Sequence, residues 1–322
     1  MADAYNLMLD KSRTFIYLRG GECMESIQSK LAKFILRIIK FNKMWNLTGD
    51  ELLENIRKRQ LSEKHEPPKI MKRRFDIVKN KLNGSCYYVM RPLEGTSEKH
   101  ILYIHGGGYV YEINSVHWNF LDKISRALNC TITIPIYPLL PDHKGKEIFN
   151  MLVPIYEKII SEVKAENIVI MGDSAGGGMS LALVELLSKK QLPQPSNIIL
   201  ISPALDMSFT NNQIYKVAEL DPMLALPSLS EIGKLYGGKK GAKHYLISPI
   251  YGDFNGLGKI SVFTGTNDIL HPDAKKFRDM AEEKGIKINY YEYPSMIHIW
   301  PLLMFPESKK ARKQIIEIIK TS

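Results

Sequence analysis

Cysteine is scarce in this chain of 322 residues: it occurs only as Cys23, Cys86 and Cys130, far apart in the sequence. This odd number and wide spacing match neither a disulfide framework nor a metal-binding cluster. No stretch reaches the roughly 18 consecutive apolar residues of a membrane span. The N-terminus shows no basic segment followed by an apolar run, which a secretory signal would need. We therefore expect a cytoplasmic protein with inert thiols, no metal site and no stable membrane anchor.

Acidic residues are fewer than basic ones. The chain has 44 Lys and Arg against 34 Asp and Glu, which gives a net charge of +10. Its hydrophobic content of 44% and charged content of 24% are those of an ordinary globular protein. A basic excess raises the question of a nucleic-acid partner. Because lysine is spread along the whole chain and no nucleic-acid-binding motif accompanies it, a solvated basic surface is the favoured interpretation.

The N-terminal residues 1–62 differ in pattern from the rest of the chain. Between Leu31 and Ile38, apolar residues recur every three or four positions with lysine and arginine on the other side, which predicts an amphipathic helix. A second helix is predicted from Thr48 to Gln60, with Thr48 as N-cap and Glu51 as its capping-box partner. Such helices either lie on a membrane surface or cover an apolar patch of the same protein. The second alternative is favoured.

Strand-like and helical patterns alternate along most of the remaining chain. Two strand-like runs, 70–78 and 85–90, flank the hairpin signal Asn83-Gly84. Short buried strands then alternate with helices, one of which Pro154 should bend or break. This alternation predicts a mostly parallel sheet with helices on both faces. Ligands of such sheets bind at the carboxyl ends of the strands, so functional residues are expected there.

One predicted strand runs directly into Gly172-Asp-Ser-Ala-Gly-Gly177 and then into a helix. In a Gly-x-Ser-x-Gly turn the serine sits on a tight bend, with its hydroxyl exposed and the helical amides pointing at whatever it attacks. The same small residues also occur in ordinary strand-to-helix turns, so the pentapeptide alone does not establish a nucleophile. It makes Ser174 the candidate, and we expect a structural or mildly electrostatic role for the preceding Asp173.

A second strand end carries His105 followed by three consecutive glycines, Gly106 to Gly108. Glycines after a buried strand leave backbone N–H groups unobstructed by side chains, as a developing oxyanion requires. We predict that the amides of Gly106 and Gly107 join the amide of Ala175 around one negatively charged oxygen.

A serine nucleophile needs a general base and an acid that orients this base. Among the eight histidines, His298 alone follows the final predicted strand and comes after an acid at another strand end. That acid is Asp268, and its nearest rival, Asp273, lies a turn into the following helix. The chain order Ser174, Asp268, His298 is the order that serine hydrolases on this kind of sheet use.

Six short motifs occur together, in order, between about residue 70 and the C-terminus, and jointly they resemble the hormone-sensitive-lipase family of α/β-hydrolases. They are His105-Gly-Gly-Gly, Tyr137-Pro-Leu-Leu-Pro-Asp142, Gly172-Asp-Ser-Ala-Gly-Gly177, Ser202-Pro203, Asp221-Pro-Met-Leu224 and Asp268-Ile-Leu-His-Pro-Asp273. The family usually has Asp-Pro-Leu where this chain has Asp268-Ile-Leu. The resemblance implies an α/β-hydrolase fold with a mostly parallel eight-stranded sheet, helices on both faces and a helical cap. The cap would combine residues 1–62 with an insertion near 207–243, over a catalytic domain of residues 63–322.

The same resemblance implies a carboxylesterase or lipase that acts on a small-molecule ester and needs no cofactor. It implies a nucleophile, a base, an orienting acid and three oxyanion-binding amides, which are Ser174, His298, Asp268 and the N–H groups of Gly106, Gly107 and Ala175. Small cytoplasmic members favour short acyl chains, so esters of short to medium chain length are the expected substrates. Two alternatives stay open: an amidase or deacylase on the same triad, and a membrane-surface lipase that uses the basic N-terminal helix. The oligomeric state also stays open, with a homodimer as one alternative.

Overall fold

The computed structural model describes residues 25–82 and 84–321. Cys23, Asn83 and residues 1–24 of the predicted N-terminal cap segment lie outside the described residues. The strands are β1 Phe75–Leu82, β2 Ser85–Pro92, β3 His100–Ile104, β4 Thr131–Ile136, β5 Ile168–Asp173, β6 Asn197–Ile201, β7 Lys259–Gly265 and β8 Ile288–Tyr293. The helices are α1 Ile27–Ile38, α2 Gly49–Ser62, α3 Ser115–Leu128, α4 Gly145–Glu162, α5 Ala175–Lys189, α6 Gln213–Ala218, α7 Leu226–Gly237, α8 His271–Glu283 and α9 Pro306–Lys320.

The described strands form one eight-stranded sheet in the order β1-β2-β4-β3-β5-β6-β7-β8. β2 pairs antiparallel with β1 and with β4, and the pairings from β4 through β8 are all parallel. This confirms the predicted mostly parallel sheet. Because β3, β5, β6, β7 and β8 are parallel neighbours, their carboxyl ends meet at the same edge of the sheet. The candidate residues follow four of these ends.

The central strands are buried on both faces. Along β5, Ile168 and Ile170 belong to one apolar core, and Val169 and Met171 belong to the other. Helices cover each face: α4, α5 and α8 supply the first core, and α3 and α9 supply the second. A strand covered on both faces needs apolar residues at successive positions, which explains the unbroken Ile-Val-Ile-Met run. The sheet is therefore a rigid support for the residues at its edge.

Two local predictions in the middle of the chain are corrected. The run 70–78 is strand only from Phe75, because Lys69–Arg73 forms a 3-10 turn anchored by the buried side chain of Met71. α4 continues through Pro154 instead of breaking there. Proline at this position leaves the carbonyl of Asn150 without its helical donor, and Asn150 is exposed, so water can bind that carbonyl.

The N-terminal helices also differ from the prediction in detail. Thr48 is the N-cap of α2, but its side chain makes no capping bond in the described structure. The first amide of the helix, Gly49 N, instead donates to Glu231 Oε2 of α7 at 2.7 Å. α1 forms where expected, yet the apolar side chains of Leu31 and Phe34 face solvent instead of covering the protein. No helix among the described residues is both long and apolar enough to cross a membrane.

The N-terminal segment and the region near 207–243 pack against each other. Besides the contact between Gly49 and Glu231, Ser228 Oγ of α7 donates to the carbonyl of Leu47 at 2.7 Å. Residues of both regions line the cavity that contains Ser174, among them Trp45 and Leu229. This arrangement agrees with a helical cap made from two parts of the chain, whereas the division into domains at residue 62 stays a prediction.

Candidate active site

Ser174 stands between β5 and α5 in a conformation that non-glycine residues rarely adopt. Its backbone has φ 53° and ψ −122°. Such positive φ values are strained for a residue with a Cβ and persist only where the surroundings enforce them. Here its amide donates to the carbonyl of Ile201 at 2.8 Å, and its carbonyl accepts from Ala204 N at 2.9 Å. The bend holds the hydroxyl at the carboxyl edge of the sheet, at the N-terminus of α5.

Glycines make this tight bend possible. A Cβ placed on Gly176 would lie 1.9 Å from the carbonyl oxygen of Ile104, and one on Gly172 would lie 2.4 Å from the carbonyl oxygen of Gly176. No side chain fits at either place, because real Cβ atoms do not approach within these distances. The two glycines that frame Ser174 in the sequence motif are therefore required by the close approach of α5 to β3 and β5.

His298 and Asp268 meet Ser174 in a chain of hydrogen bonds. His298 Nε2 is 2.9 Å from Ser174 Oγ, and His298 Nδ1 is 3.0 Å from Asp268 Oδ2. Asp268 is fully buried and His298 is 4% exposed. If Nδ1 carries the proton and donates to the carboxylate, Nε2 is left to accept the proton of the serine hydroxyl. The three residues selected from the sequence are thus brought together in the geometry of a nucleophile, a base and an orienting acid.

A second buried carboxylate, Asp221, lies beside this chain of hydrogen bonds, and no sequence pattern predicted a role for it. Asp221 Oδ2 accepts from the amide of Ile269 at 2.9 Å, and its Oδ1 accepts from Met223 N at 2.7 Å. A proline at position 269, as the resembled family usually has, would lack this N–H. Burial, followed by the charge of Asp268, raises the pKa of Asp221 to about 6. Asp221 therefore ties the loop after β7 to the region before α7.

The charges around His298 change its titration. Burial alone lowers the pKa of this imidazole, but the charge and hydrogen bond of Asp268, with smaller contributions from Asp221 and Asp173, outweigh burial. The result is a pKa above the ordinary value of 6.5. A protonated imidazole cannot accept the serine proton, so the base is available only above this raised pKa.

We predict that kcat/KM for p-nitrophenyl acetate rises with pH and reaches half of its maximum above pH 6.5, because only neutral His298 can act as base. The direction follows from the raised pKa, which moves the ascending limb towards higher pH. Initial rates in constant-ionic-strength buffers from pH 5 to 9 measure it. A profile that is flat over this range would contradict a histidine base.

One of the three amides predicted to bind the oxyanion has a partner within the protein. The amide of Gly106 donates to Asp173 Oδ1 at 3.0 Å, so it is already used inside the protein. Gly107, Gly108 and Ala175 line the cavity beside Ser174. Gly107 has φ 124°, and a Cβ there would lie 2.4 Å from the carbonyl oxygen of Tyr111. Gly107, Gly108 and Ala175 thus border the cavity beside the reacting hydroxyl, whereas the amide of Gly106 is turned to Asp173.

Asp173 holds the amide of Gly106, and it has the structural role expected for it. Its buried carboxylate also accepts from the hydroxyl of Tyr103, and His117 Nε2 lies 3.3 Å from its Oδ2. Burial alone would raise the pKa of Asp173, but His117 and the hydrogen bonds from Tyr103 and Gly106 bring it below its usual value. An ionised carboxylate thus fixes the glycine loop against the serine turn. No sequence pattern predicted this role for His117.

The nearest rival acid, Asp273, and two other histidines that follow strands have partners outside the hydrogen-bonded chain of Ser174, His298 and Asp268. Asp273 Oδ1 accepts from Asn211 Nδ2 at 2.8 Å, inside α8 and away from His298. His143 is exposed, just before α4, and its Nδ1 lies 2.8 Å from Glu147 Oε2 in the first turn of that helix. His271 Nε2 lies 3.7 Å from Glu292 on β8. None of these three contacts Ser174 in the described structure.

A largely apolar cavity of about 620 Å³ extends from Ser174 beneath the cap. This volume is within the usual range for small-molecule sites. Its walls come from the sheet edge, from the N-terminal segment and from the region near 207–243; they include Tyr109, Trp45, Met207, Phe209, Leu224 and Ile232. Phe209 of the region near 207–243 lines the cavity, whereas Tyr215 of the same region is 59% exposed. The cavity therefore suits an apolar molecule with one reacting polar group.

Comparisons with known proteins show which family and which solved structures the chain resembles. The family described as alpha/beta hydrolase fold matches residues 101–302. An esterase of Acinetobacter venetianus is 29% identical over 230 residues, which cover 67% of this chain and 73% of the relative. The crystal structure of a candidate esterase from Staphylococcus aureus has a TM-score of 0.79 and 32% identity, covering 84% of this chain and 93% of that one. EstE5, in a crystal soaked with p-nitrophenyl butyrate, has a TM-score of 0.81 and 28% identity, covering 92% and 98%.

Proposed function

This chain belongs to the α/β-hydrolase family, and from that premise we propose that it is a serine carboxylesterase for esters of short to medium acyl chain length. Relatives that are named esterases support the class of reaction. The observation that carries the proposal is the contact of His298 Nε2 with Ser174 Oγ at 2.9 Å, continued by Asp268 at 3.0 Å. A serine in this relay is a nucleophile that a neighbouring base can activate.

The proposed reaction begins with acylation of the enzyme. Ser174 Oγ forms a bond to the ester carbonyl carbon while His298 Nε2 takes its proton, and Asp268 stabilises the resulting imidazolium. The negatively charged oxygen accepts hydrogen bonds from the amides of Gly107, Gly108 and Ala175. When the carbon–oxygen bond of the leaving group breaks, the alcohol takes the proton from His298. The acyl group is then held on Ser174.

Deacylation repeats the same steps with water. His298 removes a proton from the attacking water while the water oxygen bonds to the acyl carbon, and the same amides bind the second oxyanion. The bond to Ser174 Oγ then breaks, the serine regains its proton from His298, and the carboxylic acid leaves. No step requires a group other than these side chains, the backbone amides and water.

The acyl-chain preference is proposed to depend on Trp45. This side chain belongs to the 3-10 turn Phe41–Asn46 of the N-terminal segment and is 8% exposed. A Cβ on Gly108 would lie 2.8 Å from Trp45 Cη2, so the indole packs directly on the glycine loop. Its ring also meets Tyr111 edge-on, with centroids 5.7 Å apart. Trp45 therefore fills cavity space next to the proposed oxyanion site.

We predict that Trp45→Ala shifts the preference towards longer acyl chains, because removing the indole lengthens the apolar space beside the reacting carbon. The ratio of kcat/KM for p-nitrophenyl octanoate to that for p-nitrophenyl acetate is expected to rise about tenfold, the usual scale for one or two methylenes in an apolar pocket. Trp45→Phe, which keeps an aromatic ring, is the matched control and should give an intermediate ratio. An unchanged ratio in both variants would show that Trp45 does not limit the acyl chain.

The function is tested by labelling and substrate profiling of the same preparation. A fluorophosphonate should react at Ser174, identified by mass spectrometry of the modified peptide, and should abolish hydrolysis in proportion to labelling. A series of p-nitrophenyl esters from acetate to palmitate, with matched aryl amides, defines the substrate class. Labelling at another residue, or faster cleavage of amides than of esters, would overturn the proposal.

A further inference from the structure

Helix α1 is attached to the protein largely by polar contacts. At its N-cap, Ser26 donates from N and from Oγ to the carboxylate of Glu307, at 2.7 and 2.9 Å. Two turns along, Lys33 Nζ donates to the carbonyl of Ser295 at 3.1 Å and pairs with Glu25 at 2.7 Å. The buried residue of the helix is a serine, Ser29. Ala32 and Leu36 on the same side pack against the core of the protein. The helix is therefore held by a mixed side with most of its polar contacts, and its larger apolar side is left outside.

The opposite side of α1 carries large apolar residues and faces solvent. We call this side the outer face; it consists of Ile27, Leu31, Phe34, Ile35 and Ile38. Four of these side chains are more than half exposed: Ile27 81%, Leu31 55%, Phe34 60% and Ile38 63%. Single exposed apolar residues are ordinary, whereas a contiguous row of them on one helix marks an interaction surface.

The charge around the outer face is of one sign. Apart from the inward, paired Lys33, the sequence from Ile27 to Asn46 contains four basic residues and no Asp or Glu. Lys30 and Arg37 lie two helical turns apart along one flank of the face, and Lys40 and Lys43 follow the helix. An apolar face with a cationic border complements a surface that is apolar inside and anionic outside, which describes an anionic phospholipid membrane. A second copy of this chain would instead bring the same cations against one another in a symmetric contact.

The outer face is continuous with the entrance of the cavity. Ile35 is 47% exposed and also lines the cavity that contains Ser174, as does Phe41 just after the helix. Met304, just before α9, is likewise both a cavity-lining residue and 76% exposed. An apolar molecule can thus pass from the outer face to Ser174 along apolar side chains.

From these four observations we propose that the outer face of α1 binds the surface of anionic phospholipid membranes, and that the cavity takes its ester substrate from that surface. The second half rests on the proposed function, and the first half does not. The helix would lie parallel to the membrane with its apolar side chains among the acyl chains and its cations at the headgroups. Binding should weaken with salt, because part of the attraction is electrostatic.

Co-sedimentation of the full-length protein with vesicles tests the membrane contact. The protein is expected to sediment with vesicles of equimolar phosphatidylglycerol and phosphatidylcholine, and much less with phosphatidylcholine alone. The variant Leu31→Ser/Phe34→Ser/Ile38→Ser should lower the partition coefficient at least about tenfold, since three apolar side chains lose their burial in lipid. The variant Lys30→Glu/Lys40→Glu should lose binding to the anionic vesicles specifically. The control Val78→Ser/Leu93→Ser removes two exposed apolar side chains at the opposite end of the sheet and should bind like the parent protein.

Two readouts separate this proposal from the proposed function. The triple variant should hydrolyse soluble p-nitrophenyl acetate at the parental rate, and Ser174→Ala should still sediment with anionic vesicles. Failure of the parent protein to sediment, or equal sedimentation of the triple variant, overturns the membrane contact whatever the enzymatic activity. In that event sedimentation velocity of the parent protein identifies what covers the outer face. If the parent is a dimer and the triple variant is a monomer, the face binds a second copy of the chain. If the parent is a monomer, the face is covered by the chain itself.

Discussion

Ser174→Ala is expected to reduce ester hydrolysis by a factor on the order of 10⁶ while leaving the fold intact. The substitution removes only the nucleophilic hydroxyl group and leaves His298 and Asp268 in place. The amide-lined site would remain and would support only a weak residual rate over water. Position 174 has a positive φ that is enforced by the hydrogen bonds to Ile201 and Ala204, and these are made by the backbone. Alanine keeps them. Steady-state rates with p-nitrophenyl acetate and butyrate, with a thermal melt of each protein, measure the two effects.

The matched control for this loss is Ser188→Ala on the same helix, where the serine is exposed and far from the cavity. It should retain the parental rate and the parental melting temperature. Substantial hydrolysis by Ser174→Ala, insensitive to a fluorophosphonate, would assign the activity to another residue and would remove the basis of the mechanism proposed above.

Asp268→Asn is expected to lower kcat on the order of 10⁴-fold, the cost of orienting a catalytic histidine in the wrong tautomer. An asparagine amide would present an N–H to His298 Nδ1, so that Nε2 would carry the proton and could not accept one from Ser174. The same substitution removes the largest pKa-raising influence on His298, so the residual activity should rise at lower pH than in the parent. A pH profile of the variant distinguishes this from a mere loss of stability.

Asp273→Asn is the control for Asp268→Asn, since Asp273 was the nearest rival candidate for the orienting acid in the sequence. Its carboxylate bonds Asn211 instead of a histidine, and burial raises its pKa to about 6. Neutralising it should leave kcat within about twofold and the pH profile unshifted. If Asp273→Asn were the more damaging of the two substitutions, the assignment of the orienting acid would be wrong.

The sequence predicts the strand ends well because each lies at a sharp change of composition. A fully apolar run ends at Asp173, and another ends at the glycine loop after Ile104, so the residues that follow must lie at one edge of a parallel sheet. Once that edge is established, few polar side chains can reach Ser174. The distances among Ser174, Asp268 and His298 then depend only on strands that the pattern already identifies.

Two features could not be obtained from the pattern, for different reasons. Whether Gly106 or Gly108 is available as an oxyanion donor depends on a hydrogen bond from Gly106 N to Asp173, 67 positions away. Nothing in the local sequence distinguishes three adjacent glycines. The orientation of α1 depends on Glu307 and Ser295, which bind its polar side. Helical periodicity shows that one side is apolar, but it contains no information about which side meets the body of the protein.

The crowding of main chain around Ser174 also determines where this enzyme can acquire new substrates. A Cβ on Gly176 would meet the carbonyl oxygen of Ile104 at 1.9 Å, and one on Gly178 would meet that of Ala204 at 2.1 Å. Both obstacles are backbone atoms, so no change of rotamer relieves them. The cap meets the cavity through side chains such as Phe209 and Leu229, which can be exchanged for larger or smaller ones. Mutational libraries, and natural divergence as well, should therefore accumulate tolerated changes in the cap and almost none in the serine turn.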